Sequence, residues 1–214
     1  MKRILSCMLL AACVLASTHS GARAQGGRAA QAQGPPAPRP FDDPLAPSGW
    51  KRYEFQARTG ALMTVFMPSL SNVITRQHPT EGGGVSTSYT YTSNTATDVY
   101  AVSYLVGMSR QITDDPQLRA RFLDGFWRGF AEGLSKALEA KGVEAEITEK
   151  PARKTVVGGF EAQEQEFAVG AMPGTVRVVV SGGYGYAVVA LSLSEQPGEE
   201  NRAFLKSFAL RAQR

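Results

Sequence analysis

The chain has 214 residues, 43% of them hydrophobic and 9% aromatic, a globular composition that excludes wholesale disorder. Its formal charge of +4 comes mostly from the first 24 residues, where Lys2, Arg3 and Arg23 face no acid. Without those three, 20 basic residues stand against 19 acidic ones, a near-neutral balance that gives no footing for nucleic-acid binding. Both cysteines, Cys7 and Cys13, and His19 lie in the same segment. The remainder keeps His78 alone, which excludes disulfides, Cys/His zinc sites, thiol catalysis and two-histidine mechanisms.

Residues 1–24 read as a bacterial secretory signal. Lys2-Arg3 form the positive region, Ile4 to Ala16 the apolar run, and Ala22-Arg23-Ala24 a small-x-small cleavage site before Gln25. The apolar run is shorter than the ~20 residues a membrane span needs. A rival reading makes Leu10-Ala11-Ala12-Cys13 a lipobox with Cys13 as a lipid anchor. Ser6 inside the run, apolar Val14-Leu15-Ala16 after the cysteine and the downstream cleavage site all favour simple export to the periplasm or beyond. Residues 25–49, rich in Pro, Ala, Gln and Gly, bury too little apolar surface to offset their ordering entropy and read as a disordered linker. A single domain is expected over 50–214.

Within it, Trp50 to Gln56 and Ala61 to Met67 predict a hairpin, ended by Pro68. Pro68 to Gly84, with His78-Pro79 and Gly82-Gly83-Gly84, is expected to be a loop. Val85 to Thr92 alternates, with Val85, Thr87, Tyr89 and Tyr91 on one face and Ser86, Ser88, Thr90 and Thr92 on the other, which predicts a half-exposed strand. Val99 to Met108 is apolar on both faces and predicts a central strand. Asp115 as cap and Pro116 in the first turn open a long helix whose stripe is Leu118, Phe122, Phe126, Phe130, Leu134 and Leu138, with Gly142 at its end. Strands are then expected at Glu144–Glu149, Phe160–Val169, Thr175–Ser181 and Tyr184–Ser194, with Gly182-Gly183 as a tight turn and a short helix over Gly198–Phe208. The fold class is α+β: an antiparallel β-sheet covered by one long and one short α-helix.

Three runs carry a family resemblance. They are the strand ending in Met67-Pro68; Tyr100-Ala-Val-Ser-Tyr104 leading to the long helix; and Gly158-Gly159-Phe160-Glu161-Ala-Gln-Glu164 with Arg177, Tyr186 and Phe204-Leu-Lys-Ser-Phe208. Over about residues 50–210 the chain resembles the PsbP-like/DcrB-like α/β-sandwich domains of secreted and lipid-anchored bacterial proteins. The resemblance implies a sheet sandwiched by helices and accessory or binding roles without an established catalytic site.

Gly125, Gly129 and Gly133 recur every four residues along the long helix. Each weakens a helix by about 1 kcal/mol relative to Ala, so their register suggests close packing on the sheet or a groove for a partner or ligand. Glu161, Glu164 and Glu166 offer paired carboxylates or calcium ligands, against the simpler reading of a solvated strand face beside Arg177. Ser86, Ser88, Thr90 and Thr92, with Tyr89 and Tyr91 opposite, offer a polar wall suited to sugar-like ligands. His78 lacks a nucleophile elbow, and Gly82–Gly84 lacks the Gly-Lys-Ser/Thr of a phosphate loop. The sequence therefore points to an exported, non-catalytic accessory or protein-interaction domain. It would use no cofactor or metal, touch no nucleic acid, and have another envelope protein as partner. The alternative is a small-ligand module, for a cell-wall fragment or similar, using the helix–sheet groove.

Overall fold

The computed structural model describes residues 37–56, 60–79 and 84–212. The cleavage site at Ala22 and Ala24, Cys13, and Gly82-Gly83 lie outside the described residues.

The fold is α+β, and every strand pairing in it is antiparallel. Two sheets stack rather than one. The smaller contains β1 (Arg39–Phe41), β2 (Lys51–Gln56), β3 (Leu62–Met67) and β12 (Ala209–Arg211) in that order. The larger runs β4 (Asn72–Pro79), β5 (Val85–Asn94), β6 (Asp98–Val106), β11 (Tyr184–Ser192), β10 (Met172–Ser181), β9 (Phe160–Val169) and β7 (Ile147–Glu149), with β8 (Arg153–Val157) also on β9. Helix α1 (Arg110–Asp114) precedes the long α2 (Pro116–Glu139), and α3 (Glu199–Ser207) leads into β12.

The alternation of side chains along each strand divides the core in two. On one face of the large sheet Tyr89, Tyr91, Tyr100, Tyr104 and Tyr186 meet the small sheet and α3 through Trp50, Phe55, Met63, Phe204 and Leu210. Trp50 meets Tyr100 edge-on at 5.1 Å and Phe55 meets Tyr91 at 5.0 Å, the geometry the ring quadrupoles favour. On the other face Phe130, Leu134 and Leu138 of α2 press on Phe167, Val176, Val189 and Leu191.

The long helix starts as expected. Asp115 Oδ1 accepts from the amides of Gln117 (2.7 Å) and Leu118 (3.2 Å), and Pro116 occupies the first turn, where its missing N–H costs nothing. The Gly182-Gly183 turn joins β10 to β11 with φ of +59° and +80°, which glycine alone adopts freely.

Several expectations are corrected. Residues 39–41, inside the stretch read as linker, pair with β2, and Ala46 packs on the core; the backbone ladder orders a segment whose side chains gave no signal. The expected loop Pro68–Gly84 contains β4, an edge strand with mixed residues on both faces. β5 is buried along almost its whole length, not half exposed, because its hydroxyl face is covered; Ser88 and Thr90 are satisfied by cross-strand hydrogen bonds, whereas the Thr92 hydroxyl is buried without one among the described residues. Among the described residues no helix is long and apolar enough to cross a membrane.

Candidate functional site

The stripe on α2 is not evenly seated. Phe130, Leu134 and Leu138 are buried, whereas Leu118, Phe122 and Phe126 are half-buried. Beneath that first half lies a cavity with room of about 40 Å³, space for one or two water molecules. Phe122 and Phe126 form its roof. Its wall is the face of the large sheet carrying His78, Ser88, Thr90 and Ser103, and its floor continues through Leu105, Val178 and Ala187. Gly185 leaves room for Met108 before the helices: a Cβ there would stand 3.2 Å from the Met108 sulfur and in ordinary contact, 3.7 Å, with Phe122.

The wall is hydrogen-bonded within itself. Nε2 of His78 and Oγ of Ser88 share a bond of 2.8 Å across the β4–β5 pair, and the Ser86 hydroxyl donates to the His78 carbonyl at 3.3 Å. Thr90 Oγ1 donates to Ser103 Oγ at 3.0 Å. Burial, with the Arg76 charge beside it, holds the His78 imidazole below its ordinary pKa and so neutral. His78 and Ser88 have the spacing of a base and a nucleophile, but among the described residues their surroundings differ from that chemistry in two ways. The charged neighbour of the imidazole is a cation, and β5 is paired on both sides, so its amides are spent in ladders instead of facing a developing oxyanion.

The expected polar wall of Ser86, Ser88, Thr90 and Thr92 is thus a buried surface under α2, with Tyr89 and Tyr91 on the opposite core face. His78, expected in a loop, belongs to this wall because it lies on β4, opposite Ser86 of β5.

The glycine line runs beside the roof. Gly129 is buried, Gly125 and Gly133 are half-buried, and a Cβ on Gly125 would meet nothing within 4 Å. The cavity is lined by the neighbouring Phe122 and Phe126.

The carboxylates divide, with Glu161 solvated as expected, Glu166 partly so, and Glu164 buried. The Glu164 side chain is 6% exposed and accepts from Arg153 Nε at 2.8 Å and Arg177 Nε at 2.7 Å, while Glu166 pairs with Lys150 at 2.8 Å. Burial works against the Glu164 charge, but the two guanidiniums outweigh it and hold the carboxyl below its ordinary pKa. Glu161 points to the other face and pairs with Arg119 of α2 at 2.7 Å. Each carboxylate therefore has a cation partner, and among the described residues no three His, Cys, Asp or Glu side chains gather as a metal site.

A second, open cleft of about 530 Å³ follows the outer flank of α2, between Trp127, Ser135 and Glu139 on the helix and Ile147 and Glu149 of β7.

No protein-family model matches this chain, and no curated protein matches it. Among solved structures the chain is similar to the solution structure of cyanobacterial PsbP (CyanoP) from Synechocystis sp. PCC 6803, at 13% identity and a TM-score of 0.43, over 80% of this chain and 98% of that one.

Proposed function

We propose that the chain is an exported, non-catalytic accessory or protein-interaction domain of the bacterial envelope. The secretory pattern of residues 1–24 supports the export. The observation that carries the interaction reading is the outer edge of the large sheet. β4 is eight residues long and pairs only with β5 among the described residues. Val73 on it is 54% exposed, and Val85 of β5, on the same face, is 57% exposed. An edge of this length, blunted only by Arg76 and the terminal Pro79 within the strand itself, is a template for a further strand.

Crosslinking in the native host, with the sites mapped by mass spectrometry, tests this. One envelope protein crosslinked through β4, and lost on Val73→Lys without a change in melting temperature, is the expected result. Crosslinks that avoid β4, or that survive Val73→Lys, would remove the edge from consideration.

The cavity under α2 favours a second reading, a small-ligand binding module. Its mixture of aromatic roof and hydroxyl wall is the composition of ligand pockets, in which a few polar groups orient an otherwise apolar occupant.

A further inference from the structure

We propose that the cavity beneath the first half of α2 takes a small, uncharged molecule with an apolar body and one hydrogen-bond acceptor, admitted when residues 118–126 lift from the sheet. This rests on the small-ligand reading and narrows its occupant from a cell-wall fragment to something much smaller.

The acceptor requirement comes from the wall. Ser103 Oγ accepts from Thr90, which leaves the Ser103 proton for an acceptor in the cavity. The apolar body follows from Phe122, Phe126, Leu105 and Val178 around it. Charge is disfavoured on either sign. The lining itself carries no carboxylate, lysine or arginine and the imidazole is held neutral, so an ion here would lose its hydration with no counter-charge in contact, Arg76 lying outside the lining. Arg76, close enough to depress the imidazole, repels a cation further.

The roof can move at modest cost. The second half of α2 is anchored by three buried side chains, whereas the first half is half-buried. Its ion-pair tie is Arg119–Glu161, whose carboxylate is 72% exposed, and exposed pairs contribute little, while Thr113 of α1, which accepts from the Gly183 amide at 3.1 Å, anchors the segment before it as the pivot. Gly125 and Gly129 sit at the junction of the two halves, where helix propensity is weakest. The room of about 40 Å³ grows as Phe122 and Phe126 swing away.

The test is amide NMR of the full chain titrated separately with acetophenone, toluene, benzoate and a cell-wall disaccharide. Acetophenone should give saturable shifts at Ser88, Ser103 and Phe122 in the millimolar range. Toluene, without an acceptor, should bind several-fold more weakly, and benzoate should not bind. Ser103→Ala should bring acetophenone down to the affinity of toluene, a loss of several-fold appropriate to one neutral hydrogen bond. Equal affinities for acetophenone and toluene, or saturable binding of benzoate, would overturn the assigned ligand chemistry. Shifts with the disaccharide and none with acetophenone would overturn this inference and leave the ligand reading standing. No saturable shift with any of the four would overturn both.

Discussion

Arg177 Nε donates to Glu164 Oε2 at 2.7 Å across the β9–β10 ladder, with both side chains withdrawn from water. The same guanidinium donates through Nη1 to the Leu205 carbonyl at 2.7 Å, so the pair ties the sheet to the last turn of α3. Arg153 of β8 closes on Glu164 from the other side, with its own side chain 64% exposed.

Glu164→Ala should cost about 3–5 kcal/mol of unfolding free energy, because it strands Arg177 without a counter-charge in a low-dielectric site. Arg153→Ala should cost ~1 kcal/mol or less, since that cation is solvated and Arg177 still neutralises the carboxylate. Urea unfolding of the two variants checks the order. Equal losses would mean that the carboxylate is not buried as described.

Acid should weaken the fold in two separate steps. His78 is held below its ordinary pKa by burial and by Arg76, so the unfolded chain takes up that proton first. Its contribution is complete above pH ~6.5 and declines as pH falls from there toward the folded-state value. Glu164 is also depressed, because its two guanidiniums outweigh burial; its contribution is complete above pH ~4.3 and is lost as pH falls through the folded-state value. Melting temperature followed from pH 8 to pH 3 should fall in both windows. His78→Gln should flatten the upper one, and Glu164→Gln the lower.

The parts of the fold that were legible in the sequence are those whose signal is local. Asp115-Pro116 opens α2 because one carboxylate and one fixed φ satisfy the first turn, whatever packs above it. Gly182-Gly183 turns because two positive φ angles are needed there. β4 was not legible. An edge strand with neither face fully covered needs no apolar alternation, and Asn72 to Pro79 shows none. The face of β5 was misread for a related reason. Ser86, Ser88, Thr90 and Thr92 look like a solvated row, but cross-strand bonds such as Ser88 to His78 and Thr90 to Ser103 let such a row be buried, and those partners lie on other strands. The ion pairs of Glu164 were half visible. Arg177 was a plausible neighbour, but the second cation, Arg153, arrives on a strand the sequence did not announce.

Removing the cap should act on the roof of the cavity before it acts on the core. Asp115 Oδ1 satisfies two otherwise orphan amides, and Asp115→Ala should cost ~1 kcal/mol. Because Leu118 and Phe122 lie in the turns just beyond, amide exchange should accelerate there first, while Leu134 and Leu138 keep their protection. Uniform acceleration along α2 would show that the two halves of the helix open together.

Two glycines should respond to alanine in opposite directions. Gly125 has helical backbone and open space where a Cβ would stand, so Gly125→Ala should stabilise by about 0.5–1 kcal/mol through helix propensity alone. Gly158 sits in the β8–β9 turn at φ +60°, and a Cβ there would fall 1.9 Å from the Leu210 carbonyl oxygen. That oxygen belongs to the backbone of β12, which is paired to β3, so it cannot withdraw without disturbing the small sheet. Gly158→Ala should therefore cost more than ~2 kcal/mol, with conformational strain and steric displacement adding together. Thermal melts of the two variants are sufficient. A rise for Gly125→Ala beside a fall for Gly158→Ala is the expected pair. A fall for Gly125→Ala would place something against that helix face and return the glycine line to the role of a contact surface.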